Sequence, residues 1–111
     1  MAVTYKVLGQ VATATLGATT EGTLYTAANP AVVSSIVICN QAATAATYRI
    51  AVRPSADSTT AAKHWIVYGT TVAASDTTVI TMGLTLAAGD KIQVFGSSAT
   101  LSFSAYGSEI S

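Results

Sequence analysis

The stretch that most constrains the fold spans residues 31–53 and reads AVVSSIVICNQAATAATYRIAVR. Its first part, Val32–Asn40, is rich in Val and Ile, and its second part, Thr47–Arg53, alternates large apolar residues with small or charged ones. A period of two with β-branched and aromatic residues predicts strands. Because only a short loop of small and polar residues separates the two parts, we predict that they form a hairpin.

The rest of the chain repeats this pattern in short segments separated by turn-forming residues, and no segment shows a sustained helical period. The further strand candidates are Val3–Leu8, Lys63–Tyr68, Thr77–Leu86, Lys91–Phe95 and Thr100–Tyr106. Short strands with turn signals about every 8–12 residues are typical of a sandwich or barrel. We therefore predict an all-β fold, a small jelly-roll-like β-sandwich of about eight strands with an extended N-terminal segment.

A chain of 111 residues has the size of a single domain. We divide it into residues 1–22, an N-terminal strand followed by a loose strand or an extended arm, and residues 23–111, the β-sandwich. Gly83 inside a strand candidate predicts a bulge or a close backbone approach, and Ala88–Asp90 predicts a tight turn.

The predicted core faces carry large apolar side chains. They are Ile36, Ile38, Tyr48, Ile50, Val52, Ile66, Ile80, Leu84, Ile92, Val94, Leu101 and Phe103. The first strand of the central stretch is apolar on both faces, with Val33, Val37 and Cys39 opposite Ile36 and Ile38. A strand with one face in water alternates apolar with polar residues. We therefore expect its outer face to be covered by the N-terminal segment or by another subunit.

Charge is scarce in this chain. Charged residues make up 9% of it and the formal net charge is zero, whereas globular proteins average about 25% charged residues. Low charge favours association over free solubility, so we expect neighbouring chains to cover much of the surface. The alternative is a soluble monomer with a surface rich in Thr and Ser.

The same composition excludes several classes of partner and compartment. Five cations without a cluster cannot supply the basic patch that nucleic-acid binding needs, and the apolar runs are too short to span a membrane. Cys39 is the only cysteine, which rules out an intrachain disulfide and fits a reducing compartment. The N-terminus lacks the pattern of a signal peptide.

The sequence shows no pattern typical of a catalytic site. His64, the only histidine, lies in a predicted strand beside Trp65, and the chain has no GxSxG motif, so we interpret it as a partly covered strand histidine. One His and one Cys cannot form a typical zinc site. We read the five carboxylates as turn formers and solvating groups in loops or at the terminus; they are Glu21, Asp57, Asp76, Asp90 and Glu109. We predict no catalytic residue, no metal and no cofactor, and hence not an enzyme.

Two sets of residues are candidates for binding. Arg49 and Arg53 share a strand face about 13 Å apart. They are either an anchor for a carboxylate or for backbone carbonyls across a subunit interface, or two solvated edge charges. Trp65, Tyr68 and Tyr106 are either a sugar-stacking platform or core and interface aromatics.

An ordered set of segments carries a resemblance that covers most of the chain. The segments are YKVLGQ at Tyr5–Gln10, LYT, VVSSIVICN, TYRIAVRP, GLTLAAGDKIQVF and LSFSAYGSEIS. In that order they resemble a family of small virion structural proteins of tailed bacteriophages. No single segment is a catalytic signature, so the likeness lies in the set.

This resemblance implies a β-sandwich that decorates or joins virion parts. Capsid cement proteins of this kind form trimers at three-fold or quasi-three-fold positions and clamp neighbouring capsomers. The implied partners are the major capsid protein or other virion proteins and further copies of the chain, in a protein made in the host cytoplasm and placed on the virion. For this function we expect interface roles for Tyr5, Lys6, Arg49, Arg53 and Trp65. The alternatives are a tail, neck or baseplate component and a carbohydrate-binding module.

Overall fold

A computed structural model describes residues 2–16 and 21–111. The described residues form eight strands and one short α-helix. The elements are β1 (Val3–Ala12), α1 (Thr13–Leu16), β2 (Gly22–Thr26), β3 (Ala31–Asn40), β4 (Ala46–Arg53), β5 (Trp65–Val72), β6 (Thr77–Leu86), β7 (Lys91–Gly96) and β8 (Leu101–Ile110), with a 3₁₀ turn at Ala62–His64 before β5. No helix in the described part of the chain is long and apolar enough to cross a membrane.

The strands make two four-stranded sheets, in the orders β1-β8-β3-β6 and β2-β7-β4-β5. All neighbouring strands are antiparallel. Apart from β4 and β5, every two consecutive strands lie in opposite sheets, which is the strand order of a jelly roll. The predicted fold class is therefore confirmed.

The predicted hairpin between the two strands of the central stretch is wrong. β3 pairs with β6 and β8, whereas β4 pairs with β5 and β7 in the other sheet. Each of the two strands has one large apolar face. Because β3 and β4 face each other across the core, both apolar faces are buried. A short loop serves equally well for strands that pair and for strands that face each other, so loop length could not decide between the two.

The core lies between the sheets and is largely the predicted one. The residues predicted correctly as fully buried are Ile36, Ile38, Tyr48, Ile50, Ile92, Val94, Leu101 and Phe103, while Val52, Ile80 and Leu84 are partly buried against them. Ile66 was assigned to the core wrongly, because it is 44% exposed. In the β4–β5 pairing Ile50 faces Val67 and Ala51 faces Trp65. Ile66 is the extra residue between them and is turned out of the core.

A bulge in β3 changes the face of the sheet on which Val33 lies. Val33 and Ser35 pair with Gly107 and Tyr106 of β8, which leaves Ser34 as an extra residue. Val33 is therefore fully buried on the same face as Ile36, and not on the outer face as predicted. Opposite the same segment, the β3–β6 pairing skips Met82 and Gly83 of β6, so the predicted irregularity at that glycine is confirmed.

The N-terminal strand belongs to the sandwich. It runs beyond the predicted Val3–Leu8 as far as Ala12 and pairs with β8 of the same chain along its length. Residues 3–12 therefore do not form a free arm, and residues 17–20 of the predicted arm lie outside the described residues. Backbone hydrogen bonds between Ala2 and Ser111 continue the β1–β8 pairing at its outer end.

Asn40 ties the loops together at one end of the sandwich. Its side chain is buried, and Nδ2 donates to the carbonyl oxygens of Thr44 at 2.8 Å and Ala73 at 3.2 Å. Its Oδ1 accepts from the Ala42 backbone N–H and the Thr100 hydroxyl, both at 3.0 Å. One amide thus satisfies the polar groups of three loops, as a buried polar side chain must.

Candidate interaction surfaces

The outer face of the β1-β8-β3-β6 sheet, which we call the neutral face, carries no charged side chain. Its outward positions include Val3, Tyr5, Val7, Gln10, Val32, Ser35, Val37, Cys39, Thr77, Val79, Thr81, Thr85, Ser102, Ser104, Tyr106, Ser108 and Ile110. The chain has five basic and five acidic residues, and all ten lie elsewhere. Tyr5 is 84% exposed, Val79 59% and Val7 48%, so large apolar groups face outward on both edge strands.

A shallow cleft of about 510 Å³ lies at the β1 edge of the neutral face. Tyr5, Val32 and Tyr106 line it together with serines of β3 and β8. Lys6 also borders this cleft, but its ammonium group turns to the opposite side, where it lies 3.0 Å from a carboxylate oxygen of Glu109. Two of the predicted interface residues are thus neighbours here, although the charge of one is already neutralised.

The second surface lies on the outer face of the other sheet and centres on Arg49. Strand pairing places Arg49 opposite Tyr68 on β5 and opposite Phe95 on β7. Its guanidinium carbon lies 4.0 Å from the ring centre of Tyr68, 4.5 Å from that of Phe95 and 5.9 Å from that of Trp65. The Trp65 and Tyr68 rings meet edge-on at 5.7 Å. We call these four residues the Arg49 cluster.

Arg49 has no anionic partner in the described part of the chain. The ion pairs there join Lys6 to Glu109, Arg53 to Glu21 and His64 to Asp57. Within the described residues, no side-chain nitrogen of Arg49 is both buried and without a hydrogen-bond partner. Its N–H groups therefore reach solvent. A cation held over aromatic rings gains electrostatic attraction from their π faces and keeps its in-plane donors free.

Arg53 shares this strand face but is committed within the chain. Its Nη1 lies 3.9 Å from Glu21 Oε2 and donates to the Thr60 hydroxyl at 3.2 Å. The same Glu21 oxygen accepts from Thr60 at 2.5 Å and from Gln93 at 2.9 Å. With 12% of its side chain exposed, Arg53 is not a solvated edge charge. This network holds the β4–β5 loop against the sheet, and the interface role of Arg53 stays a prediction.

His64 does not lie in a strand, as the sequence suggested, but ends the 3₁₀ turn before β5 and is buried. The Ala61 backbone N–H donates to Nδ1 at 2.8 Å, so Nε2 carries a proton and donates to Asp57 Oδ2 at 3.0 Å. The hydrogen bond from His64, helped by the charge of Lys63, holds the pKa of Asp57 below its usual value. In the described residues no serine or cysteine hydrogen-bonds to His64. The hydrogen bond between His64 and Asp57 instead stabilises the loop between β4 and β5.

The remaining carboxylates divide into two kinds. Asp76 and Asp90 cap turns as predicted, the former accepting from Thr77 N–H and the latter from Ser55 and Ala87 N–H. Glu109 was placed wrongly at a solvated terminus, because it lies in β8 and contacts Tyr25 and Lys6. Within the described residues, no group of three or more His, Cys, Asp or Glu side chains could hold a metal ion.

The predicted aromatic platform forms only in part. Trp65 and Tyr68 come together on β5, whereas Tyr106 lies on the neutral face of the opposite sheet. Sequence reasoning missed Phe95, which strand pairing brings against Arg49. The only signal was its outward position in β7, and using it requires knowing that β7 lies beside β4.

No protein-family model matches the chain, and a search of the curated proteins finds no match to it. The features that bear on its function are therefore the two surfaces and the resemblance of the sequence segments.

Proposed function

We propose that this chain is a non-enzymatic bacteriophage virion structural protein, a capsid cement or decoration protein that clamps neighbouring capsid subunits. The observation that carries the proposal is the neutral face. A small monomer normally covers its surface with Lys and Glu, yet the outward positions of this sheet hold apolar residues, Tyr, Gln, Ser and Thr and no charged side chain. Such a surface is suited to permanent burial against another protein.

The size of the neutral face supports this reading. Four strands spaced about 4.8 Å apart and about 33 Å long give a footprint of roughly 600 Å². A stable protein interface buries about 800 Å² per partner. The neutral face alone therefore supplies most of the area that a lasting contact needs, and the exposed β1 edge can add backbone hydrogen bonds.

The second support is that the expected interface residues lie on two opposite surfaces. Tyr5 and Lys6 are on β1, and Arg49 and Trp65 are on the outer face of the other sheet. A protein that joins two neighbours needs two contact surfaces, and this sandwich presents one on each side. The partners of this proposal are the major capsid protein and further copies of the chain, with a trimer as the expected assembly.

The test is decoration of capsids purified without this protein, from the phage that carries its gene. We expect wild-type protein to saturate sites over the capsid shell in cryo-electron microscopy. Val79→Lys places a charge at an exposed position on the β6 side of the neutral face and should lower occupancy about tenfold or more, since an unpaired buried charge opposes binding.

Ala88→Lys adds the same charge at an exposed position of the turn between β6 and β7, on neither sheet face, and is the matched control. Undiminished decoration by Val79→Lys, with both variants folded, would refute the role of the neutral face. Density confined to the tail, neck or baseplate would instead favour the second candidate, a tail component.

A further inference from the structure

We propose that the Arg49 cluster and the groove beside it bind a carboxylated sugar, such as a uronic acid unit of an acidic glycan. This is a ligand site on the sheet opposite the neutral face. It gives Arg49 and Trp65 a sugar ligand in place of a protein contact, and it does not rest on the clamping function. Four observations carry it: a fixed unpaired cation, the engagement of nearby acids, an adjoining groove, and the spacing between the cation and the aromatic rings.

The first observation is that Arg49 is held in place without being neutralised. The Tyr68 and Phe95 rings lie 4.0 and 4.5 Å from its guanidinium carbon, which limits the orientations of the side chain. Its N–H groups remain open to solvent. A planar guanidinium fixed by stacking is preorganised for a two-pronged hydrogen bond to a carboxylate.

The second observation is that the acidic residues of this sheet and its covering loop are already engaged. Glu21 accepts hydrogen bonds from Thr60 and Gln93 and lies 3.9 Å from Arg53 Nη1. Asp57 accepts from His64. An internal carboxylate therefore does not compete for Arg49 in the described residues, and an external one can take its place.

The third observation is a groove of about 430 Å³ next to the cluster. Trp65 and Tyr68 form its aromatic sides, and Thr60, Ala61 and Ala62 line the rest. This volume lies in the range of small-ligand sites, which combine apolar walls with a few fixed polar groups. Small side chains beside two aromatic rings leave room for a pyranose ring, whose C–H face packs on an aromatic surface.

The fourth observation is the spacing that favours a sugar acid over an acidic peptide. The cation lies 4.0 and 5.9 Å from the ring centres of Tyr68 and Trp65. In a uronic acid the carboxylate is one bond from the sugar ring, so both parts can be engaged at once. A glutamate side chain could meet Arg49 but has no ring to fill the groove.

The experiment is a titration of the full chain with trigalacturonic acid, followed at Trp65. Trp65 is the only tryptophan, so its fluorescence and its indole N–H resonance report on this groove alone. We expect saturable shifts of both signals. The fully methyl-esterified trisaccharide, which keeps the rings and loses the charge, should bind about tenfold more weakly or worse, as expected for losing a charge-assisted hydrogen bond.

Arg49→Gln should weaken binding of trigalacturonic acid about tenfold and leave binding of the esterified trisaccharide unchanged. Lys91→Gln removes a cation elsewhere on the same sheet and is the control; its affinity for trigalacturonic acid should stay within about twofold of wild type. Tyr68→Ala should weaken both probes. The proposal is overturned if the Trp65 signals do not respond to trigalacturonic acid, or if Arg49→Gln binds it as wild type does. It is also overturned if tetraglutamate binds as tightly as the sugar acid, which would assign Arg49 to a protein carboxylate.

Discussion

The hydroxyl of Tyr25 on β2 donates a 2.5 Å hydrogen bond to the carboxylate of Glu109 on β8, and so joins the two sheets of the sandwich. Lys6 approaches the other carboxylate oxygen at 3.0 Å. The hydrogen bonds from Tyr25 and Lys6 hold the pKa of Glu109 below its ordinary value of 4.5. Burial, together with the adjacent carboxylate, raises the pKa of Tyr25.

This relationship predicts a specific loss of stability in acid. The folded-state pKa of Glu109 is lowered, so below about pH 4.5 the unfolded chain binds the proton first. The stabilisation is present above that pH and is lost as the pH falls through the folded value. Urea unfolding between neutral pH and about pH 3 should show a smaller acid loss for Glu109→Gln than for wild type. The pKa of Asp57 is also lowered, so Glu109→Gln should reduce the loss of stability in acid without abolishing it. Parallel plots of unfolding free energy against pH for the two proteins would contradict the prediction.

Two strand glycines should respond oppositely to the same substitution. A Cβ at Gly107 in β8 would overlap the carbonyl oxygen of Val32, whereas a Cβ at Gly83 in β6 meets no atom. We expect Gly107→Ala to lower the free energy of unfolding by about 1–3 kcal/mol or to prevent folding. Gly83→Ala should be neutral or raise it by about 0.5 kcal/mol, because alanine restricts the unfolded chain. Thermal or urea unfolding of both variants provides the measurement, and equal effects would refute the close approach at Gly107.

Asn40 should be the most sensitive polar residue at its end of the sandwich. Asn40→Ala leaves the carbonyl of Ala73 and the N–H of Ala42 without their partner, so we expect a loss of about 2–4 kcal/mol in the free energy of unfolding. Gln41→Ala, at the exposed next position, is the control and should change it by less than about 0.5 kcal/mol. A small effect at Asn40 would mean that water replaces the amide.

The register of β5 can be tested with two neighbouring residues. Val67 faces Ile50 and packs against the core, while Ile66 is 44% exposed. We expect Val67→Ala to cost about 1–2 kcal/mol and Ile66→Ala less than about 0.5 kcal/mol in denaturant unfolding. The reverse order would place Ile66, and not Val67, in the core.

The fold was largely predictable from the sequence because period-two alternation and turn residues act locally. The bounds of β6 and the turn at Gly89, which has a φ of +92°, follow from such signals. The sheet assignment of β4 and the exposure of Ile66 do not, because they depend on pairing between distant strands and on bulges. One extra residue reverses the direction of every side chain beyond it.

The candidate surfaces were predictable only as separate residues. Arg49, Trp65 and Tyr68 stood out by type, but Phe95 joins them through the β4–β7 pairing. Lys6 and Arg53 were singled out as interface cations, and their neutralisation by Glu109 and Glu21 depends on contacts between distant segments. The neutral face required the complete strand order, since its residues come from four strands spread over the whole chain.

The continuation of the β1–β8 pairing by Ala2 and Ser111 brings the two ends of the described chain into contact. The path of the backbone is therefore close to a closed ring. A short linker from Ser111 to Ala2 and a new opening at the exposed Ser58–Thr59 peptide would keep all eight strands intact. Such a circular permutant would also move both new ends to the side of the Arg49 cluster, leaving the Tyr5 edge free for attachment.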